Sequence, residues 1–529
     1  MARRDGSLTA GNAALALIGL VAGGAAAGLF LAGLADPAGA IDAFDARLAG
    51  VIGFTALQAL LSTTLSVGLA APLALALNRH AEFPGRALLL RLFALPMALP
   101  AIVAALAVLA LFGRAGLLAA IWPAMGGGEW PGVYGLPGIL IAHVFFNLPL
   151  ATRLLLAALS SAPANHYRLA AQLGMGEASV FRFVEWPVLR AALPGVAMLV
   201  LMLCLTSFTI VLLIGGGPAA TTLEVEIYQA LRFDFDPARA GALVLAQVAL
   251  TGLVAAFAGA REYRAGNSAA MSRRPARRPP AAFAIADAGF IAAAALFVIA
   301  PLAAMAASGA HADFGRLAGE ASVRRALATS LGLGALAGLI AVAAALALAS
   351  ARKTLADRAA PSAAVYGRAA MLILVVPGAA LGAGWFLLVN RFADPGQFAI
   401  PVVVAVNAVM ATPFAFNVLR PVHDSGRDRH DRLCAGLGIA GWNRYRLVDG
   451  PMLVRPLASA FAFAFALSLG DLGVIALFGS DAIQTLPWLT LTRMGDYRVD
   501  DAAGLALILG FVALAAMALS DRLARSENP

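Results

Sequence analysis

Twelve long, almost uninterrupted apolar runs constrain this chain more than any other feature. They lie near residues 9–35, 50–78, 88–113, 136–160, 190–214, 238–260, 284–308, 326–350, 368–391, 398–420, 456–478 and 501–520. A hydrocarbon layer ~30 Å thick needs about 20 helical residues to cross it, and each run is long enough. Hydrophobic residues make up 61% of the 529 and charged residues 13%, with a mean hydropathy of +0.84; soluble domains run near about 45–50% and about 25%. So little polar material cannot cover a water-facing surface. The expected fold is therefore all-α and integral to a membrane, with twelve transmembrane helices. Prolines within the runs (Pro96, Pro100, Pro149, Pro377, Pro413) are tolerable because neighbouring helices re-satisfy the backbone. The first run follows Arg3 and Arg4 and exceeds a cleavable signal's apolar core, so it reads as a retained signal anchor.

Charge sets the expected orientation. With a cytoplasmic N-terminus, inside segments hold 28 of the 38 Lys and Arg, and outside loops hold 10. That bias predicts both termini in the cytoplasm. The basic stretch Arg261 to Arg278 is then an inside linker near anionic lipid, and the net charge of +9 is topology rather than a nucleic-acid site. Catalytic signatures are absent. Lys353 is the sole lysine, and no Gly-x-x-x-x-Gly precedes it, so no P-loop exists here. The six histidines are scattered, and the two cysteines, Cys204 and Cys434, imply neither a metal cage nor a disulfide framework.

The chain repeats itself. Pro149, Gly174, Pro187 and Gly215 recur at an offset of 264 as Pro413, Gly438, Pro451 and Gly479. Arg168-Leu169 matches Arg432-Leu433, Leu173 matches Leu437, and Arg182 matches Arg446. Six spans per repeat is an even number, so both halves enter with the same orientation and are related by an axis along the membrane normal. The expected segments are a signal anchor and outer loop at 1–49, a first core repeat at 50–260, the linker at 261–283, a seventh span and outer loop at 284–321, a second core repeat at 322–520, and a tail at 521–529.

Two inside loops, one per repeat, carry the densest matches. Each is expected to open with a short helix, N-capped by Asn165 or Asp428 and carrying i, i+4 leucine pairs, Leu169/Leu173 and Leu433/Leu437. Gly174 and Gly438 suit a left-handed helix stop, and a second turn should end before Pro187 and Pro451. These loops resemble the signature of ABC importer permeases, Glu-Ala-Ala-x3-Gly-x9-Ile-x-Leu-Pro. Arg168-Leu169-Ala170-Ala171 and Arg432-Leu433-Cys434-Ala435 stand at its opening, with arginine in place of glutamate in both copies. Gly174 and Gly438 match its glycine, and Pro187 and Pro451 its proline.

That resemblance implies two fused six-helix type I permease repeats in a bacterial inner membrane. It also implies two cytoplasmic ABC ATPase subunits that hold the ATP and magnesium, a periplasmic solute-binding protein, and no cofactor on this chain. Under it, Arg168, Leu169, Ala170, Ala171, Leu173, Gly174 and Pro187, with Arg432, Leu433, Cys434, Ala435, Leu437, Gly438 and Pro451, couple to the ATPase. Segments such as Gly215-Gly-Gly-Pro-Ala-Ala-Thr-Thr222 and Leu467-Ser-Leu-Gly-Asp-Leu-Gly473 are similar to the thiamine branch of the family, which implies thiamine or its phosphates as cargo. Fused ferric-iron permeases share the two-halves arrangement, so a fused permease for ferric iron or another small solute is the alternative within the class, and a parallel-repeat secondary transporter is the alternative from another class. Intramembrane polar groups point to function: Ser207 and Asp471, matched by the offset, are pathway candidates, against a purely structural role for the carboxylate. His143, Asn147, Arg153, Asn407 and Asn417 are expected to bond between helices. The stretch from Gly126 to Tyr134, with Trp130, and the acidic group Glu224, Glu226, Asp234 and Asp236 are candidates for receiving the binding protein, with an interfacial aromatic belt as the equal alternative for the aromatics.

Overall fold

The computed structural model describes residues 2–259, 280–439, 442–479 and 483–525. The basic stretch Arg261 to Arg278 lies outside the described residues. Among those described, all regular structure is helical. The first half comprises α1 (Ala2–Ala35), α2 (Ala46–Arg79), α3 (Ala101–Phe112), α4 (Gly135–Ser160), α5 (Ala164–Gln172), α6 (Trp186–Leu205), α7 (Thr209–Ile214), α8 (Leu223–Arg232) and α9 (Pro237–Gly259). The second repeats the order: α10 (Ala281–Gly309), α11 (Ala321–Ala356), α12 (Ala363–Leu372), α13 (Gly378–Phe392), α14 (Pro395–Gly436), α15 (Gly450–Leu469), α16 (Gly473–Phe478), α17 (Leu486–Gly495) and α18 (Val499–Arg525).

Eleven helical segments among the described residues are long and apolar enough to cross a bilayer. The expected span at 368–391 is the exception, because it is not continuous. Val376 is extended (φ −98°, ψ 114°) ahead of Pro377, which separates α12 from α13. The third span breaks in the same way at Leu99 (φ −82°, ψ 140°) ahead of Pro100. In both, the proline ring drives its predecessor out of the helical region. Apolar content revealed these crossings but not their interruption.

Side-chain contacts assign the two ends of the bundle. Asp45, ahead of α2, pairs with Arg239 at the start of α9 (3.2 Å), and a short helix, Pro37–Asp42, joins α1 to α2. The far end of α1 and the starts of α2 and α9 therefore share one end. At the other, Ser7 Oγ of α1 lies 3.2 Å from Thr354 Oγ1 in the last turn of α11. Asn78 in the last turn of α2 donates to Glu185 Oε1 (3.0 Å), and Lys353 of α11 pairs with Asp428. Both 264-offset loops thus project from the same end of the bundle. The first turns of α1 lie at that end, and α18 runs toward it, with Ser520 bonding Ser459 midway along α15 (3.5 Å).

Small residues set how closely the helices approach, as expected where lipid removes most of the hydrophobic drive for association. A Cβ added to Gly28 of α1 would lie 1.9 Å from the Gly384 carbonyl oxygen of α13, and one added to Gly384 would lie 2.3 Å from Ala25 O. Trp385 Nε1 fixes the register by donating to Val21 O (2.8 Å). Gly28→Leu should therefore cost about 1–3 kcal/mol through overpacking, read as a lower thermal midpoint in detergent. Gly23→Leu, which meets nothing within 4 Å, should leave the midpoint unchanged.

Candidate functional site

The two loops fold into knobs that end in the same helix stop and lead into the same wide turn. In the first, Leu173 is the last residue before the turn and Gly174 adopts φ +64°. The Gly174 N–H donates to Ala171 O (3.2 Å) and the Met175 N–H to Ala170 O (3.0 Å), the double bond of a Schellman stop. In the second, Gly438 also has φ +64°, its N–H donates to Ala435 O (3.3 Å), and the Ile439 N–H donates to Cys434 O (2.9 Å). Leu169, Leu173, Leu433 and Leu437 are 54%, 68%, 59% and 64% exposed, so both leucine pairs face outward. Ala170 and Cys434 are buried beneath them, where only a small side chain fits, and Cys434 takes alanine's place.

Several local expectations need correction. Asn165 does not cap its helix; α5 starts at Ala164, after Pro163. Asp428 caps nothing either, because α14 runs unbroken for 42 residues into the second knob. Nor does a turn end before Pro187 or Pro451. Each knob leads through a π turn, Phe181–Glu185 or Tyr445–Asp449, directly into α6 or α15, with its proline in the first turn. The Trp186 N–H reaches back to Phe181 O and the Gly450 N–H to Tyr445 O. A proline lacks an N–H and clashes with the carbonyl four residues earlier, and one wide turn relieves the clash without ending the helix. The π turns also expose Phe183 (64%) and Leu447 (63%) beside the leucines. These two apolar residues were overlooked in the sequence, although they too are 264 apart.

The knobs are anchored by different forces. Beneath the first lies an apolar cluster of Ala162, Tyr167, Ala170, Val180 and Val184, tied to α2 by Asn78 bonds to Tyr167 (3.4 Å) and to buried Glu185. The second sits on an ionic lattice. Arg444 pairs with Asp431 (2.6 Å) and Asp449 (3.0 Å), Lys353 with Asp357 (2.9 Å) and Asp428, and Arg352 with Asp424.

Following α6 and α15 away from the knobs leads to a second shared feature. Both helices stop inside the bundle, at residues 206–208 and 470–472, before resuming as α7 and α16. Ser207 and Asp471 occupy these interruptions, and both are half-buried. Asp471 Oδ1 accepts from the N–H groups of Gly473 (3.1 Å) and Val474 (3.5 Å), restarting the helix as an N-cap does. Its Oδ2 is buried with no hydrogen-bond partner among the described residues. The breaks converge. A Cβ on Gly470 would lie 2.9 Å from Pro100 Cβ, and one on Gly473 would lie 3.8 Å from Phe208 and 3.9 Å from Ala379. The interruptions of the third, fifth, ninth and eleventh crossings therefore meet around Gly470–Gly473.

Other candidates resolve individually. His143 Nδ1 lies 2.9 Å from Ser62 Oγ, Asn147 Nδ2 donates to Cys204 Sγ (3.4 Å) and Asn407 Nδ2 to Ser468 Oγ (3.0 Å), all between helices as expected. Arg153 and Asn417 approach the sulfurs of Met97 and Met371 (4.0 and 3.8 Å). Glu224 and Glu226 are only 1% and 3% exposed. They bond Gln247 (3.3 Å) and Arg47 (2.7 Å) and offer no docking surface, which corrects the expectation for them. Trp130 is held by its Nε1 donating to Phe112 O (2.9 Å).

Comparison with known proteins bears on this arrangement. The family described as the binding-protein-dependent transport system inner membrane component matches residues 66–262 and 360–526. A thiamine transport system permease protein of Brucella abortus is 52% identical over 524 residues, 98% of this chain and 96% of that protein. One from Escherichia coli is 43% identical, covering 88% and 87%. A sulfate transport system permease protein of Synechocystis is 28% identical over 40% of this chain and 76% of its own.

A Cβ at Gly174 or Gly438 meets nothing within 4 Å, so the demand for glycine there is purely conformational. Gly174→Val and Gly438→Val should each cost about 1–2 kcal/mol of local stability. Amide exchange at the adjoining knob residues should speed up about five- to thirtyfold, with the spans unaffected.

Proposed function

The chain belongs to the family of binding-protein-dependent transport system inner membrane components, and on that premise we propose that it is the membrane subunit of an ATP-driven importer that carries thiamine or a thiamine phosphate from periplasm to cytoplasm. Identity of 52% across 98% of the chain with a thiamine transport permease supports the cargo. The observation that carries the mechanism is the continuity of backbone from each knob to the junction of broken helices. With the knob end in the cytoplasm, where the arginine bias puts it, two copies of an ATPase subunit would seat on Leu169/Leu173 and Leu433/Leu437. Their closure on ATP pulls the knobs. The pull runs through the π turns into α6 and α15, whose far ends are the interruptions at 206–208 and 470–472. Motion therefore arrives where four discontinuous crossings meet, and rocking one half against the other opens that junction to alternate sides.

Nothing in this route uses a nucleotide on the chain itself. A periplasmic binding protein would deliver the cargo at the opposite end. Asp471 serves two purposes: Oδ1 restarts α16, and Oδ2 supplies negative charge to a cationic thiazolium passing the junction. A secondary transporter of parallel repeats would leave two matched, leucine-faced knobs without a task.

The deciding experiment is reconstitution of the chain with its ATPase and binding protein in liposomes. Labelled thiamine should accumulate only with ATP, and accumulation without ATPase would overturn the assignment. Leu173→Asp combined with Leu437→Asp removes about 1.5–3 kcal/mol of apolar burial at each contact. It should lower ATPase affinity at least about a hundredfold and abolish uptake without altering the thermal midpoint. Asp471→Asn keeps the cap but loses the charge; a charged hydrogen bond contributes about 1.5–3 kcal/mol, so half-maximal uptake should need about tenfold more thiamine. Unchanged kinetics would reduce Asp471 to its capping role.

A further inference from the structure

We infer that the surface receiving each knob is an apolar groove rimmed by carboxylates, because every knob presents unpaired arginine beside its leucines; this rests on the ATPase-coupled reading above and specifies the partner's chemistry. Arg168 and Arg432 sit at the same repeat position and both side chains are exposed. Arg168 makes one weak hydrogen bond, to neutral Asn165 (3.4 Å). Arg432 has no ion-pair partner among the described residues, and the same holds for Arg429 and Arg446, likewise exposed. Carboxylates are plentiful nearby, but they are already engaged: Asp431 and Asp449 with Arg444, Asp428 and Asp357 with Lys353, and Asp424 with Arg352. Beneath the second knob the lattice consumes the acids, and the guanidinium groups of both copies face outward.

Lipid cannot be what these arginines meet on the second knob. The apolar part of α14 ends near Leu419, and Arg420 begins its charged part. Leu433 stands roughly 21 Å further along the axis at 1.5 Å per residue. A headgroup layer is only roughly 5–8 Å deep, so the knob projects past it into water. A protein groove fits: three apolar side chains per knob (Leu169, Leu173 and Phe183, or Leu433, Leu437 and Leu447) fill it, and the guanidinium reaches its rim. Arginine is suited to this because its planar fork pairs a carboxylate in bidentate fashion. The two faces match in residue type and position, so one groove repeated on two copies of a single subunit serves both.

The test titrates the ATPase subunit of the same transport system onto the full chain in nanodiscs, at low and physiological salt. Arg168→Glu with Arg432→Glu should weaken binding about a hundredfold, and lysine substituted at the groove's carboxylates should restore at least about tenfold of it. Arg168→Gln with Arg432→Gln should flatten the salt dependence without reversing it. Both arginine variants should retain the wild-type thermal midpoint, since the side chains are exposed. If charge reversal leaves affinity unchanged while Leu173→Asp with Leu437→Asp abolishes it, the acidic rim is wrong and the ATPase reading stands. If the wild-type chain binds no ATPase subunit, both fall. If reversal instead abolishes binding to phosphatidylglycerol vesicles and spares the ATPase, the knobs are lipid anchors and the inference is overturned.

Discussion

A hydrocarbon layer supplies no hydrogen bonds, so any peptide group within it must find its partner in the protein. That constraint organises this molecule. Most of its crossings meet it with unbroken helix, and the ones that do not gather in one place, around Gly470–Gly473. An interruption facing lipid would leave N–H and C=O groups stranded, whereas an interruption facing other interruptions shares their shelter and any water admitted between them. The same requirement explains why Asp471 is tolerated at depth: its Oδ1 satisfies two N–H groups at the start of α16. The arrangement concentrates the least regular backbone of both halves at their mutual boundary, where a passage must form if the halves rock.

Irregular backbone at the centre would be of little use without stiff elements to move it. The π turns at Phe181–Glu185 and Tyr445–Asp449 keep the helix continuous past Pro187 and Pro451, which would otherwise have parted knob from span. Close packing does the complementary work. Where Gly28 of α1 meets Gly384 of α13, backbone touches backbone, and the first span is fastened to the second half of the chain. The first span is thereby an integrated part of the bundle.

Much of this was legible in the amino-acid order. Apolar runs located the crossings, and the 264-residue offset exposed the duplication because it rests on glycines and prolines, whose backbone demands survive drift in the side chains around them. Gly174 and Gly438 were readable for that reason. What hydropathy could not register was continuity. The window covering 368–391 is apolar whether or not Val376 is extended, and the signal was the Val-Pro pair itself, mirrored by Leu99-Pro100. The capping roles given to Asn165 and Asp428 failed because local preference yielded to the long helix of α14 and to Pro163. Glu224 and Glu226 looked like surface charge because their partners, Gln247 and Arg47, are distant in sequence and come close only through folding.

The duplicated halves are not mechanical equals. Toward the second knob the chain is one uninterrupted rod, α14, from Pro395 to Gly436. Toward the first it is jointed, with Ser161, Ala162 and Pro163 between α4 and α5. If the knobs are pulled as proposed, equal tugs would give unequal responses: the rod would swing its membrane segment at once, while the joint would bend before its segment followed. Under the proposed ATP-driven mechanism, a symmetric motor acting on this fused chain would produce a stroke with a leading and a trailing side, a built-in order that two identical separate subunits would lack.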